Sequence, residues 1–191
     1  MRSDRQGRAG TRISCGTCRI AEEGGRQVPL AATREKTGAD QAALDAAINL
    51  NIPHGGWIPK GRITEKGPLP AKYNLQEMPS SSYFDRTEQN VVDSDGTLII
   101  SHGALIGNSD YILKMAEKHR RPWIHIDLDI TTPLDAVLKI KSWIVEETIE
   151  VLNVGGASAG EDPQLYEKTK EIVEGVICLT QTQEKSEDLK N

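Results

Sequence analysis

Three glycine-containing loops hold the residues with the clearest potential for chemistry. They span residues 37–40, 103–109 and 155–160, and each comes just before a predicted helix. The free N–H groups and the dipole at a helix N-terminus favour anions. Glycine also simply permits tight turns, so one such loop would mean little. Three in one chain favour an anion or nucleotide site.

Carboxylates flank two of the predicted strands. Asp93 and Asp95 stand just before a buried strand, where they either bind a hydroxyl or metal or merely cap a turn. Asp127 and Asp129 end the next strand on one side of it, so they serve either hydroxyl binding or catalysis, or form a solvated strand end. Glu88, on a predicted helix, is a candidate acid or base, although charged helix faces are usually only solvated.

Two motifs that would define a nucleotide site are absent from the sequence. There is no G-x-G-x-x-G after the first strand and no P-loop. The four histidines lack metal-binding spacing, and Cys15 and Cys18 have no second Cys or His pair, so we predict no protein-ligated metal. Trp57 follows paired glycines and either stacks on a planar ligand or anchors a core or an interface.

Helices and strands alternate along the chain from Thr37 onward. The predicted helices are 41–49, 86–93, 107–119, 133–148 and 164–177, and the predicted strands are 52–57, 96–101, 122–128 and 150–154. This alternation predicts an α/β fold with a mostly parallel sheet and helices on both faces. Residues 59–79 contain four prolines and no clear period, which indicates either a long functional loop or a stretch whose elements the pattern does not reveal.

Length and composition narrow the class of protein. A chain of 191 residues and 21.0 kDa suits one domain, and no apolar run approaches the roughly 20 residues of a membrane span. Without a secretory signal or a disulfide pattern, we expect a cytoplasmic protein that does not associate with membranes. Residues 1–36 carry 8 basic and 4 acidic side chains, whereas the remainder has 15 and 24, so nucleic acid is not expected as a partner.

Several strings in the sequence resemble the molybdenum cofactor carrier family, a Rossmann-like group related to the lysine-decarboxylase-like proteins. They are TGADQAALD (37–45), PHGGWIPKGR (53–62), RTEQNV (86–91), DSDGT (93–97) and LNVGG (152–156). The resemblance extends over about residues 37–177. It implies a Rossmann-like domain, here 34–179, between an irregular basic arm at 1–33 and a polar tail at 180–191.

The resemblance also implies a function. It suggests a carrier-like protein that binds a phosphorylated pterin, a nucleotide or an oxyanion, with molybdenum cofactor or a nucleotide as its cargo. The expected binding residues are Thr37, Gly38, Asp40, Asp95, Gly103, Gly107, Asn108 and Ser109. Self-association is expected from the family and from two large aromatics, Trp57 and Trp143, which a modest core would not fully bury.

Two other functions stay open. One is hydrolysis of the glycosidic bond of a nucleoside monophosphate, with Glu88 or Asp95 as acid or base. The Pro-Gly-Gly-x-Gly-Thr loop of those relatives is absent, which favours the carrier, a protein with no catalytic residues. The other is a ligand-free member of the family that acts only through protein contacts.

The N-terminal region departs from the family pattern. Relatives open with an apolar strand and Ser-Gly-Gly-Gln, whereas this chain has Thr-Arg-Glu-Lys at 33–36. Either the reading frame is wrong upstream of Thr37, or a basic arm has replaced the first strand. The frame error, the favoured explanation, predicts no sheet strand within residues 1–27, because that stretch lacks an apolar run.

Overall fold

The structure is a computed structural model that describes residues 12–13, 38–64, 67–158 and 160–188. Its helices are α1 (Gly38–Asn49), α2 (Tyr83–Val92), α3 (Gly107–Lys118), α4 (Pro133–Glu146) and α5 (Leu165–Asp188). Its strands are β1 (Arg12–Ile13), β2 (Trp57–Ile58), β3 (Ile63–Thr64), β4 (Gly67–Pro68), β5 (Gln76–Glu77), β6 (Gly96–Ser101), β7 (Trp123–Asp127) and β8 (Val151–Gly156). None of the described helices is long and apolar enough to cross a bilayer.

A four-stranded sheet in the order β1-β8-β6-β7 forms the centre of the fold, and its strands are all parallel. All six residues of β6 are buried. Leu98 and Ile100 belong to the core that β6 shares with α1, α4 and α5, whereas Ile99 packs with residues of α2 and α3. A strand covered on both faces needs a continuous apolar run. The predicted Rossmann-like α/β fold is therefore confirmed.

Most of the predicted helices and strands around the central sheet have nearly the predicted bounds. Side-chain capping explains where two of the helices begin. Thr132 caps α4 by accepting the backbone N–H of Asp135 at 3.2 Å, with Pro133 in the first turn. Helix α2 begins earlier than predicted because Ser82 accepts the backbone N–H of Asp85 at 3.2 Å. Helix α5 continues beyond the predicted end at 177, through a segment rich in Glu, Gln and Lys, which are good helix formers.

Two strand predictions are wrong. Within the stretch 52–57, only Trp57 belongs to a strand. Backbone pairing with β5 begins at this residue and continues with Met78 N–H, which donates to Ile58 O at 2.8 Å. The prediction of no strand within residues 1–27 also fails, since Arg12 pairs with Val151 as β1. A two-residue strand needs only open backbone groups at the edge of β8, and not the apolar run of an interior strand.

Between β2 and α2 the chain forms short elements with little regular structure. We call residues 59–64 and 67–81 the wall segment. It holds a 3-10 turn at Lys60–Arg62 and the antiparallel pair of β3 and β4, and it leads through β5 toward α2. The long loop expected at residues 59–79 therefore contains a short 3-10 turn and three strands of two residues each.

Candidate functional site

A cavity of about 770 Å³ lies at the carboxyl edge of the sheet. Gly156, the last residue of β8, and Asn108, in the first turn of α3 after β6, mark that edge. The opposite wall comes from the wall segment. The described lining residues are Gly38, Asp40, Gln41, Leu44, Ile58, Pro59, Ile63, Thr64, Leu69, Leu75, Ser81, Tyr83, Arg86, Asn108, Gly156, Ala157, Ser158, Gly160 and Glu161. Its size and its place beyond the strand ends are typical of a small-molecule site in an α/β fold.

The first turn of α1 brings two predicted residues to the cavity. Gly38 and Asp40 both line it, as expected from the sequence. Asp40 accepts a hydrogen bond from the guanidinium of Arg86 at 3.0 Å, and both side chains are largely buried. Arg86, on α2, was not predicted as a site residue, and its guanidinium also lies over the ring of Tyr83 at 4.8 Å. Thr37 lies outside the described residues.

The start of α3 is only partly in the cavity. Asn108 lines it, and its amide nitrogen donates to the backbone oxygen of Gly156 at 3.0 Å. The other amide atom, Oδ1, is buried and has no hydrogen-bond partner in the described part of the chain. Ser109 is buried instead in its own helix cap, where its hydroxyl donates to Ile106 O at 2.7 Å. Gly107 opens the helix with φ 53° but is not among the described lining residues.

A carboxylate of the protein itself lies against this helix end. Oε1 of Glu161 is only 2.5 Å from where a Cβ on Gly107 would be, and its Oε2 accepts the backbone N–H of Ser158 at 2.9 Å. The neighbouring Asp162 contacts His102 Nδ1 at 2.5 Å. The contact of Asp162 with His102 thus joins the loop after β8 to the loop after β6, and Glu161 lies close to Gly107 in the second of these loops.

Side-chain hydrogen bonds to backbone carbonyls hold the wall segment in place. The guanidinium of Arg62 donates to four carbonyl oxygens at 2.9–3.2 Å, those of Leu69, Pro70, Tyr73 and Leu75. Two of these four residues, Leu69 and Leu75, also line the cavity. Arg62 therefore fixes the apolar side of the cavity although it is not itself a described lining residue.

Asp45 on α1 anchors the same wall from behind. Its carboxylate accepts hydrogen bonds from Tyr73 at 2.9 Å, from Tyr166 at 2.7 Å and from Lys72 at 3.1 Å. Burial, reinforced by the Asp45 charge, raises the pKa of both tyrosines above the usual value near 10. Both phenols therefore remain neutral donors at physiological pH.

Gly103, Asp127 and Asp129 form a separate turn near the carboxyl ends of β6 and β7. Asp127 accepts the backbone N–H groups of Asp129 at 2.9 Å and Gly103 at 2.8 Å, and these bonds lower the pKa of its carboxyl. Gly103 adopts φ 69° in this turn. None of the three is among the described residues that line the cavity. The carboxylate of Asp127 is therefore bonded within a turn at the end of β7.

Asp95 and Asp93 lie before β6, at its amino end, away from the cavity. Asp95 accepts the backbone N–H groups of Val151 at 2.7 Å and Glu150 at 3.1 Å, and so joins β6 to β8. Asp93 ends α2 and accepts the indole N–H of Trp57 at 2.8 Å. Asp93 therefore lies at the end of a helix, whereas Asp95 bonds to the neighbouring strand. Trp57 is not among the described lining residues.

Glu88 is engaged on the outer side of α2. Its carboxylate is 2.6 Å from Lys118 Nζ and 2.6 Å from His119 Nε2, and these two hydrogen bonds lower the pKa of Glu88. A lowered pKa keeps the group ionised at neutral pH, which is unsuited to a general acid. Among the described residues there is also no group of three or more His, Cys, Asp or Glu that could hold a metal ion.

The comparisons with known proteins agree with this architecture. Residues 35–177 match the family described as circularly permutated YpsA SLOG. The chain belongs to that family. A crystal structure of a protein from Syntrophus aciditrophicus SB, named a putative molybdenum carrier protein, is 47% identical, with a TM-score of 0.74 over 88% of this chain and 95% of that one. No curated protein matches the sequence significantly.

Every described residue that lines the cavity lies inside the range matched to the family. The resemblance to molybdenum carriers is thus confirmed, and it points to a ligand-binding role. Sequence reasoning missed Arg86, Glu161 and the apolar wall residues. Arg86 stood inside a recognised string, and Glu161 directly follows the third glycine loop, so proximity to these motifs was the available signal.

Proposed function

We propose that this protein is a non-catalytic carrier that holds a small phosphorylated pterin or nucleotide, with molybdenum cofactor as the principal candidate cargo. The observation that carries the proposal is the cavity of about 770 Å³ at the carboxyl edge of the sheet. The name of the Syntrophus protein supports the choice of cargo. The cytoplasmic location and the absence of a nucleic-acid partner stay predictions from composition.

The lining of the cavity combines groups that suit a flat ring with a polar substituent. Leu44, Ile58, Leu69 and Leu75 supply apolar surface, against which a heteroaromatic ring would be desolvated. Arg86 and the backbone at Gly38 supply N–H donors, with which a phosphate would be bound. Molybdenum would be carried as part of the cargo, so no protein ligand to the metal is required.

The positions of Glu88 and Asp95 favour binding over hydrolysis. The carboxylate of Glu88 is paired with Lys118 and His119, and that of Asp95 is bonded to backbone N–H groups at the other end of the strands. Neither is among the described lining residues. A hydrolase that used them would need its substrate outside the cavity.

A charge placed on the exposed apolar rim of the cavity tests the proposal. Ile63 lines the cavity and is 54% exposed, so Ile63→Glu should fold while adding a carboxylate beside the bound ring and phosphate. We expect AMP, GMP or purified molybdenum cofactor to raise the Tm of the wild type by mass action, and Ile63→Glu to lose at least tenfold in affinity.

The matched control for that experiment is Ile130→Glu, because Ile130 is 84% exposed and is not among the described lining residues. It should bind as the wild type does. If none of the three compounds binds the wild type, or if Ile63→Glu binds as tightly as Ile130→Glu, the proposed function is wrong.

Self-association is a second part of the proposal. Exposed apolar residues on α4, and not the two tryptophans, support it. Trp143 is partly buried against the core, and Trp57 is hydrogen-bonded to Asp93, so neither is an exposed anchor. Leu134, Leu138 and Val145 on α4 are instead 67%, 50% and 67% exposed. A second copy of the chain that packs on this stripe would bury it, as two-fold dimers do.

Light scattering tests this association. The wild type should give a mass of at least twice 21.0 kDa, and Leu138→Glu should shift it toward the monomer. A concentration-independent monomer for the wild type would refute self-association.

A further inference from the structure

Glu161 lies where an incoming anion would be expected at the start of α3. Its Oε1 lies 2.5 Å from where a Cβ on Gly107, the first residue of α3, would be. The bond from Ser158 N–H at 2.9 Å holds Oε2, and the contact of Asp162 with His102 holds the adjacent residue. The carboxylate is therefore held in place although the residue itself is exposed.

Among the described residues, no other carboxylate without a cationic partner lies at the end of α3 that faces the cavity. The capping residue of this helix, Ile106, has no side-chain oxygen to accept the first N–H groups. Asp110, the acidic residue of the first turn, is paired with Lys114 at 2.6 Å along the helix. Glu161 thus supplies the negative charge that the positive end of the helix dipole favours.

The charges of the cavity point the same way. Its charged described lining residues are two carboxylates, Asp40 and Glu161, and one guanidinium, Arg86, which is already paired with Asp40. At the α3 end the buried Oδ1 of Asn108 is a further acceptor without a partner in the described chain. An acceptor without a partner requires a hydrogen-bond donor, and the negative charge of Glu161 repels a free anion.

We propose that Glu161 determines the charge selectivity of the cavity by occupying the anion position at the N-terminus of α3. Free inorganic oxyanions, phosphate and molybdate alike, are kept out of this end. The organic cargo presents hydrogen-bond donors here, such as the amino group of a pterin or purine ring. This inference rests on the proposed function, and it assigns the phosphate of the cargo to the Arg86 side.

The test compares Glu161→Gln with the wild type by calorimetry, with inorganic phosphate and then molybdate as probes. Glutamine keeps an oxygen that can accept the N–H of Ser158, so the loop should stay in place while the charge is removed. We expect Glu161→Gln to bind phosphate at least tenfold more tightly than the wild type. Glu147→Gln, which removes an exposed carboxylate just after α4, should match the wild type.

Equal phosphate affinity in Glu161→Gln and the wild type, including no binding to either, would overturn the inference, and so would weaker binding to the variant. Wild-type affinity for AMP, GMP or molybdenum cofactor tests the proposed function separately. If one of those binds and phosphate affinity is unchanged by Glu161→Gln, only the role of Glu161 fails. If phosphate affinity rises in the variant and none of the three binds the wild type, only the proposed function fails.

Discussion

The two sides of the cavity are stabilised in different ways. The sheet side, with β6 and β8, is stabilised by apolar side chains buried on both faces, such as Leu98, Ile99 and Ile100, which are all 0% exposed. The wall segment contains only two-residue strands and a short turn. It depends on side chains that bond to its backbone or tyrosines, above all Arg62 and Asp45.

Apolar burial therefore determines the overall fold, whereas a few hydrogen bonds determine the shape of the cavity wall. Apolar burial is non-directional and adds up over many residues, so it fixes the sheet robustly. A hydrogen bond contributes only about 0.5–1.5 kcal/mol net, so a wall held by a few of them opens more easily than the sheet. We expect the wall segment to govern access to the cavity, while the sheet governs global stability.

The largest expected effect is on the sheet. Ile100→Ala removes a fully buried side chain from the central strand and should lower the free energy of unfolding by about 2–5 kcal/mol. Urea denaturation measures this change. Ile130→Ala, at an 84% exposed position, should change it by no more than about 0.5 kcal/mol. Similar losses in the two variants would contradict the assigned core.

A smaller and local effect is expected in the wall. Arg62→Met removes all four bonds to the carbonyls of residues 69–75 and should reduce the free energy of local opening there by about 1–2 kcal/mol. Hydrogen exchange should show faster exchange at residues 67–78 and little change in β6 and β8. Arg120→Met, at an exposed site, is the control. Uniformly faster exchange across the sheet would show that the two regions are not separable.

The smallest effect concerns the tyrosines that bond to Asp45. Tyr166→Phe should cost about 1 kcal/mol, and the double variant with Tyr73→Phe should be non-additive because both phenols share one carboxylate. A double-mutant cycle based on urea denaturation measures the coupling. Strict additivity would mean that Asp45 does not link the two residues.

The same tyrosines give a pH dependence. Their pKa values are raised in the folded state, so their contribution is complete below about pH 10 and is lost as the pH rises through the folded pKa. The wild type should lose stability above pH 10 more steeply than the double phenylalanine variant. Parallel pH profiles of unfolding free energy would refute the assigned shift.

The contrast between the two regions also explains what could be read from the sequence. The strands β6 to β8 follow apolar runs that end at Gly, Asp or His, and α3 begins at Gly107 as predicted, because these signals are local. The short strands of the wall segment were not predicted, since strands of two residues leave no periodicity. Its key contacts join residues far apart in sequence, such as Tyr166 and Asp45, and a local pattern cannot reveal them.

The site was predicted in part for the same reason. Gly38, Asp40 and Asn108 were found because they stand at helix starts, and they line the cavity. Asp95 and Gly103 also stand next to predicted strands, but they have other roles in the fold. Asp95 accepts backbone N–H groups of the neighbouring strand, and Gly103 forms a turn outside the cavity. The contact between Glu161 and Gly107 joins two loops 54 residues apart, so the sequence suggested an open anion position where the fold supplies its own carboxylate.

The most direct test of the central claim is hydrogen–deuterium exchange of the wild type with and without purified molybdenum cofactor, with AMP and GMP in parallel. At least one compound should slow exchange at residues 38–44, 57–64 and 155–158, which surround the cavity, and leave α4 unchanged. Protection confined to α4 or the β7 edge, with these three stretches unaffected by every compound, would contradict the assignment of the cavity as the binding site.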